Sequence, residues 1–408
     1  MKSLSILGST GSIGRQTLNV VESLPDQFTV TALAAGSNLD EFIPQILRHH
    51  PELVSVANDK LADDLARRLR EQLPPGQPMP QIHHGREGML AAGTHPGADI
   101  VVSAAVGVVG LEATYKAVTL GRTIALSNKE VLVAAGELVM AAAAAAGREL
   151  LPVDSEHNAV HQCLRAGRLA VDGGSIHHPE VRRIVLTASG GPFRKTPIHT
   201  LANVTVDQAL AHPNWKMGHR ITIDSATMMN KGFEIIEARW LFGMRPDQID
   251  VIIHPQSVIH SFVEFVDGAV LAQLAPPDMR MPIQYALTYP ARVPSQQVQL
   301  DWSKLKRLDF EKASTRRFPC LRLAREAMKK GGAHPAALNA ADEVAVAAFL
   351  EHRLPFMGIS AVVERVLGRT PRVKLTSIDD VLAADAEARR QAAEEVAALA
   401  SPAHSTSA

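Results

Sequence analysis

Short apolar runs recur along the first third of the chain, at Leu4–Leu7, Phe28–Ala34, Leu53–Val56, Ile100–Ala104, Thr123–Leu126 and Leu150–Val153. Most gaps between them carry apolar residues at helical spacing, as in Leu61–Leu73 and Glu112–Leu120. Strands that are apolar throughout must be covered on both faces, and helices alternating with them supply the cover. The pattern therefore predicts a parallel sheet with helices on both sides. Pro74–Pro80 reads as a surface loop inserted into this unit. The alanine-rich run Val131–Ala146 is broken by Glu137 and reads as a helix packed on the sheet, not a membrane span.

The pattern changes after Asp154. Strand-like runs appear at Ile184–Thr187, Ile221–Ile223, Val251–Ile253 and Ile259–Val266, with one strong helix at Met229–Leu241. The polar stretch Gly190–Gly218 predicts a long loop with room for a short helix, and a loop of that length is usually functional or disordered. Arg292–Phe318 reads as a connector. Beyond it, Leu321–Lys330, Ala336–Leu350, Ile359–Leu367 and Asp379–Ala400 are helical, punctuated by Pro319, Pro335, Pro355 and Pro371. The expected architecture is α/β: an N-terminal Rossmann-like parallel sheet over 1–153, an α+β catalytic domain over 154–291, a linker over 292–318 and a C-terminal α-helical bundle over 319–408. The final SPAHSTSA is expected to be disordered.

A chain of 408 residues is long enough for two or three cores. Its 42 basic and 42 acidic residues balance, which speaks against a nucleic-acid partner. Cys163 and Cys320, the only cysteines, make neither a disulfide framework nor a thiolate zinc site, and a reducing cytoplasm fits them. The opening MKSLSILGSTGSIG is a strand entering a glycine turn, not a signal peptide.

That turn is the first chemical signal. Gly8, Gly11 and Gly14 follow the first strand and precede a helix, where glycines let backbone approach a pyrophosphate and the helix N-terminus offers free N–H groups. The spacing is GxxGxxG, not GxGxxG, so a purely structural turn is the alternative. The second strand ends in AAGSN, Ala34 to Asn38, with no carboxylate to hold a ribose hydroxyl. Ser37 and Asn38 offer hydrogen-bond donors instead, with Arg48 or Lys60 as neighbours, which favours NADP over NAD. The alternative is that these residues only cap a turn.

Asp154 and Glu156 close the last strand of the first domain in LPVDSEHNA. Two carboxylates there suit a hard cation such as Mg²⁺ or Mn²⁺, yet on this pair alone a helix N-cap is the simpler reading. In DSATMMNKGFEIIEARW, Ser225 precedes a helix on which Asn230, Lys231 and Glu234 share a face. Amide, ammonium and carboxylate on one face fit a site holding an anion beside a metal; a solvated face is the alternative. TASGGPF exposes a Ser189-Gly190-Gly191 turn suited to phosphate, and HPNWKMG, His212 to Gly218, reads as a lid or as an apolar anchor for its loop.

Taken together, GSTGSIG, ALSNKE, LPVDSEHNA, ASGGPF, HPNWKMG, DSATMMNKGFE, HPQSVIHS and ALNAADE resemble 1-deoxy-D-xylulose 5-phosphate reductoisomerases, in the same order and over nearly the whole chain. The resemblance implies a cytoplasmic homodimer of three-domain subunits. It implies NADPH- and divalent-metal-dependent conversion of a phosphorylated keto-sugar, 1-deoxy-D-xylulose 5-phosphate, to 2-C-methyl-D-erythritol 4-phosphate in isoprenoid synthesis, with neither nucleic acid nor membrane as partner. By the family pattern Asp154, Glu156 and Glu234 hold Mg²⁺ or Mn²⁺, and Ser189, Ser225, Asn230 and Lys231 bind the phosphate. His212 and Trp215 lie on the lid, and Lys129 and Ser155 meet substrate hydroxyls. Thr10, Gly11, Ser12, Ile13, Gly36, Ser37, Asn38, Asn128 and Glu130 line the cofactor. Some members carry lysine where this chain has Ser37, which implies a weaker grip on the 2′-phosphate or a different partner for it. Two other readings stand beside this one: a plain NADP-dependent dehydrogenase of a phosphorylated substrate, and a non-catalytic NADP sensor whose carboxylates are caps and surface charges.

Overall fold

The computed structural model describes all residues except Gly173, Gly174, Asn214, Lys216, Val298 and 401–408, and for 170–172, 175–177 and 400 the backbone alone. The SPAHSTSA tail falls outside the described residues.

The first sheet holds β1 (Lys2–Leu7), β2 (Phe28–Ala34), β3 (Leu53–Val56), β4 (Gln81–His84), β5 (Ile100–Ser103), β6 (Thr123–Leu126) and β7 (Leu150–Pro152). They lie in the order β4-β3-β2-β1-β5-β6-β7, every pair parallel. The connecting helices are α1 (Ser12–Ser23), α2 (Leu39–His49), α3 (Asp59–Gln72), α4 (Gly85–Gly93), α5 (Leu111–Thr119) and α6 (Glu130–Ala145). Leu4, Ile6, Val30 and Val54 point to one face, against Phe42 and Leu65 of the covering helices, all essentially inaccessible. Side chains of this kind contribute roughly 1.5–3 kcal/mol each on burial. Leu7, Val101, Ile124 and Leu126 point to the other, whose core runs on without a break into the rest of the molecule. The strand order reverses between β1 and β5, which opens the crevice at the carboxyl ends of these strands where ligands settle in such sheets.

The next elements are α7 (Ser155–Leu164), a hairpin of β8 (Ala170–Asp172) and β9 (Ser175–His177), β10 (Val181–Ala188), α8 (Val206–Leu210), α9 (His219–Thr227) and α10 (Met229–Phe242). Then come β11 (Ile249–Ile253), β12 (Ile259–Phe265), β13 (Val270–Leu274), α11 (Arg280–Thr288) and β14 (Glu311–Lys312). Five of these strands form a mixed sheet ordered β13-β12-β10-β11-β14. The stretch read as a connector thus donates β14 to the sheet edge beside β11. In the other direction, α11 buries Ile283, Ala286 and Leu287 in the core beside α1.

One strand expectation fails. Ile221–Ile223 lies inside α9, whose last turn also holds Ser225, just ahead of the helix that carries Asn230, Lys231 and Glu234. The ITI run alternates like a strand, but α9 buries Thr222, Ile223, Ala226 and Thr227, and tertiary packing overrides the β preference of its branched residues. Met228 then takes a left-handed conformation (φ 64°) and breaks the chain into α10.

Helices α12 (Pro319–Lys330), α13 (His334–Leu350), α14 (Phe356–Arg369) and α15 (Ile378–Ala400) form the C-terminal bundle, which packs against α6, α9 and α10. Helix α6 is kinked at Ala135 (φ −133°), and next to the kink a Cβ on Gly136 would lie 2.2 Å from the Trp240 ring of α10. Among the described residues no helix is long and apolar enough to cross a membrane.

Candidate active site

The glycine turn follows from backbone geometry. Gly8 has φ +90°, and a Cβ there would lie 2.6 Å from the Ala104 carbonyl oxygen. A Cβ on Gly14 would lie 2.3 Å from the Gly8 carbonyl oxygen. Only glycine lets α1 start this close to the ends of β1 and β5. Gly11 caps α1 with no side chain in the way, so the first N–H groups of the helix face the crevice. Gly11, Ser12 and Ile13 line a cavity of about 890 Å³ whose far wall comes from α7, α9 and α10.

Into that cavity the chain brings residues far apart in sequence. Asp154 occupies the N-cap position of α7, yet its side chain makes no capping bond. It accepts instead a hydrogen bond from Lys129 Nζ, which also donates to Asn230 Oδ1 at 2.9 Å. Lys231 Nζ donates to Glu156 Oε1 at 2.7 Å and to Glu234 Oε2. Asn230 Nδ2 donates to Glu234 Oε1 at 2.6 Å, across one turn of α10. Oxygens of Asp154, Glu156 and Glu234 all lie within 4.8 Å of one another. Three carboxylates at this spacing repel, and two buried ammonium groups do not offset them fully. Burial, with the charge of Glu156 added, pushes Glu234 up to about 8. Burial acts the same way on Glu156, but Lys231 outweighs it and holds that carboxyl at about 2. A cluster of hard oxygen donors still short of positive charge fits a divalent cation.

The phosphate side is built from small groups. Gly190 (φ +82°) and Gly191 (φ +64°) turn the chain after β10, and Gly191 N–H donates to Ser189 Oγ at 3.2 Å. A Cβ on Gly191 would lie 2.7 Å from the Ser225 carbonyl oxygen, so this turn rests directly on α9. Trp215 N–H donates to His212 Nδ1 at 3.0 Å, which leaves the ring proton on Nε2, and Nε2 donates to Ser189 Oγ at 3.0 Å. Burial lowers the His212 pKa and keeps that ring neutral.

Three family models match in succession: "1-deoxy-D-xylulose 5-phosphate reductoisomerase" over residues 4–136, its C-terminal domain over 150–242, and "DXP reductoisomerase C-terminal domain" over 274–391. The reductoisomerase of Pseudomonas savastanoi pv. phaseolicola is 50% identical over 390 residues, 95% of this chain and 96% of its own. That of Solibacter usitatus is 49% identical over 394 residues, 97% of each. The chain belongs to the 1-deoxy-D-xylulose 5-phosphate reductoisomerase family. Among solved structures, the reductoisomerase of Zymomonas mobilis in complex with NADPH superposes with a TM-score of 0.86 at 42% identity, over 97% of this chain and 98% of that one. A DOX-P reductoisomerase in complex with NADPH, fosmidomycin and magnesium gives 0.90 at 38% identity, over 98% and 99%.

The candidate residues fall into three groups. Gly11, Ser12, Ile13, Asn128, Lys129 and Glu130 line the cavity from the first domain. Asp154, Ser155, Glu156, Ser189, His212, Trp215, Ser225, Asn230, Lys231 and Glu234 line it from the second. Thr10, Gly36, Ser37 and Asn38 lie outside that lining, at the turn after β1 and the end of β2. Asn38 Oδ1 accepts from Glu41 N–H at 3.2 Å and caps α2.

Sequence reasoning missed several groups in or behind the wall. His260 and Met279 line the cavity. Arg220, on the turn of α9 that follows the lid motif, lines it as well. His157 is fully buried behind Asp154, with its Nδ1 3.5 Å from Glu237 Oε2. The HPQSVIHS motif pointed to His260, but single charged residues such as Arg220 carry no spacing signal.

Proposed function

We propose that the chain rearranges and reduces 1-deoxy-D-xylulose 5-phosphate to 2-C-methyl-D-erythritol 4-phosphate, with NADPH as reductant and Mg²⁺ or Mn²⁺ as its ion, in isoprenoid biosynthesis. The observation that carries this reading is the convergence, in one cavity, of a glycine-turn helix N-terminus, three clustered carboxylates and a Ser-Gly-Gly turn. A plain dehydrogenase has no use for the middle element. The family relationship supports the same chemistry.

In this reading Asp154, Glu156 and Glu234 hold the metal, and Ser189, Ser225, Asn230 and Lys231 bind the phosphate. Such an ion supplies Lewis-acid polarisation of the ketone, and NADPH supplies the hydride. The chain's own residues orient and enclose. The hydroxyl of Ser189, held by His212, and the N–H groups of the glycine turn fix the phosphate end away from the reacting carbons. Lys129 and Ser155 serve the hydroxyl groups: Lys129 Nζ lies between Asp154 and Asn230, where it donates to developing negative charge on oxygen. Trp215 covers the ligand and excludes water. Gly11, Ser12 and Ile13 take the cofactor pyrophosphate at the start of α1. Thr10, Gly36, Ser37, Asn38, Asn128 and Glu130 complete the cofactor contacts, with AAGSN favouring NADPH over NADH.

We place the domain limits at 1–153, 154–291 and 319–408, joined by 292–318. The subunit is read as a cytoplasmic homodimer, and the exposed Val270 and Leu271 on edge strand β13 support association through the second sheet. The test is carbon NMR of the product from labelled substrate, with and without NADPH and with and without Mg²⁺. A branched product that needs both is expected; a linear polyol phosphate refutes the proposal.

A further inference from the structure

Arg220 and the C-terminal helix α13 form a node that the reaction chemistry leaves unused. Arg220 Nη1 lies 2.5 Å from Glu343 Oε1 and 3.1 Å from Glu130 Oε1, so a single nitrogen serves two carboxylates. Its Nη2 donates to Asn339 Oδ1 at 2.9 Å, and its Nε lies 3.8 Å from Asp224 Oδ2. Glu343 is itself held from the far side by Arg389 of α15. A Cβ on Gly107, in the turn after β5, would lie 2.5 Å from Glu343 Oε1, so this carboxylate also abuts the rim of the first domain. One guanidinium thus ties together the start of α6 on the cofactor side, helix α9 and the bundle.

Helix α9 carries more than Arg220. It presents Ser225 to the cavity, and the Gly190–Gly191 turn rests on the Ser225 carbonyl. A small displacement of α9 therefore moves two of the phosphate-binding groups together. Arg220 Nη1 divides its two protons between Glu343 and Glu130, while its buried Nε finds no hydrogen-bond partner among the described residues: a donor that engages Glu130 from the cofactor side loosens that contact and lets the guanidinium settle toward Glu343 and Asp224. Packed elements respond to such a change as units.

We propose that Arg220, anchored by Glu343, is a positioning residue through which a nicotinamide cofactor at Glu130 tightens the binding of a phosphate- or phosphonate-bearing ligand at Ser225. This rests on the function proposed above. Coupling of this kind is reciprocal and usually amounts to roughly 5- to 150-fold in affinity.

The experiment measures fosmidomycin affinity with saturating Mg²⁺, in the presence and absence of NADPH, for the wild type, Glu343→Ala and Glu343→Gln. Glu343 lies outside the cavity lining. NADPH is expected to tighten fosmidomycin binding about tenfold in the wild type. The effect should fall to within twofold in E343A, with affinity in the absence of NADPH nearly unchanged, and return in part in E343Q, which keeps a hydrogen-bond acceptor. A merely structural role would weaken both affinities alike. The proposal is overturned if E343A and E343Q, folded by circular dichroism, keep the wild-type ratio, or if the wild type binds both ligands without mutual effect. Failure of the wild type to bind NADPH at all would instead remove the functional reading beneath it, and this inference with it.

Discussion

Asp342→Asn is expected to stabilise the protein at neutral pH. Asp342 of α13 and Asp224 of α9 are buried close enough for the charge of one to disfavour that of the other, so folding favours a proton on at least one of them. Burial pushes Asp224 from the ordinary 3.8 up to about 6, against the pull of Arg220, and burial with the charge of Asp224 pushes Asp342 well above its ordinary range. Glu130, Lys129, Glu343 and Cys320 complete the ionisable surroundings of the pair. A carboxyl raised on folding binds more protons in the native state than in the unfolded one, so stability falls as pH climbs from the unfolded value through the folded one. For Asp224 alone, a rise from 3.8 to about 6 corresponds to roughly 3 kcal/mol lost above pH 6. An asparagine amide donates to Asp224 without a shared proton and lets that carboxylate ionise beside Arg220. Urea unfolding at a series of pH values between 4.5 and 8 is the assay. The wild type should lose stability across this range, the D342N variant should lose less, and the two curves should diverge to about 2 kcal/mol by pH 7.5. Parallel curves would refute the shared-proton argument.

Other expectations follow from the same geometry. Asp154→Asn or Glu234→Gln should cut turnover by more than about 100-fold, beyond what loss of an outer metal partner costs, while circular dichroism stays unchanged; near-wild-type activity at limiting Mg²⁺ would show that these residues hold no metal. Ser37→Asp should shift the kcat/KM ratio toward NADH by repelling a 2′-phosphate, and an unchanged ratio would place that phosphate elsewhere. Backbone protection from hydrogen exchange at Trp215 and Met217 should rise when NADPH and fosmidomycin bind together; equal protection in free and bound protein would count against a lid.

The first sheet was legible because its strands are apolar on both faces, a pattern that leaves little freedom. Its exception is β4, the polar Gln81–His84 at the sheet edge, where one side meets solvent and no apolar run is needed. Helix α9 was misread because Ile221–Thr222–Ile223 alternates like a strand, and only the layers on either side of it decide otherwise. The carboxylates at 154, 156 and 234 were legible as types in a motif. The sequence could not show that Asp154 leaves its capping role to meet Lys129, since that pairing spans α6 and α7. Arg220 and Glu343 were illegible for a related reason: charged residues on amphipathic helices usually face water, and their meeting is a property of the assembled bundle.

The kink at Ala135 and the bare Cα of Gly136 bear on how accurately this site can be manufactured. Lys129 and Glu130 stand at the head of α6; Asn230, Lys231 and Glu234 stand on α10. The two helices bolt together where Trp240 seats on Gly136. That joint works as a datum surface, a fixed reference from which both sets of groups take their position. Errors in loop length elsewhere leave the datum untouched, whereas one added methyl group at residue 136 would shim the helices apart and carry the misalignment straight to the carboxylates. A chain of this design can vary its loops widely and this glycine hardly at all.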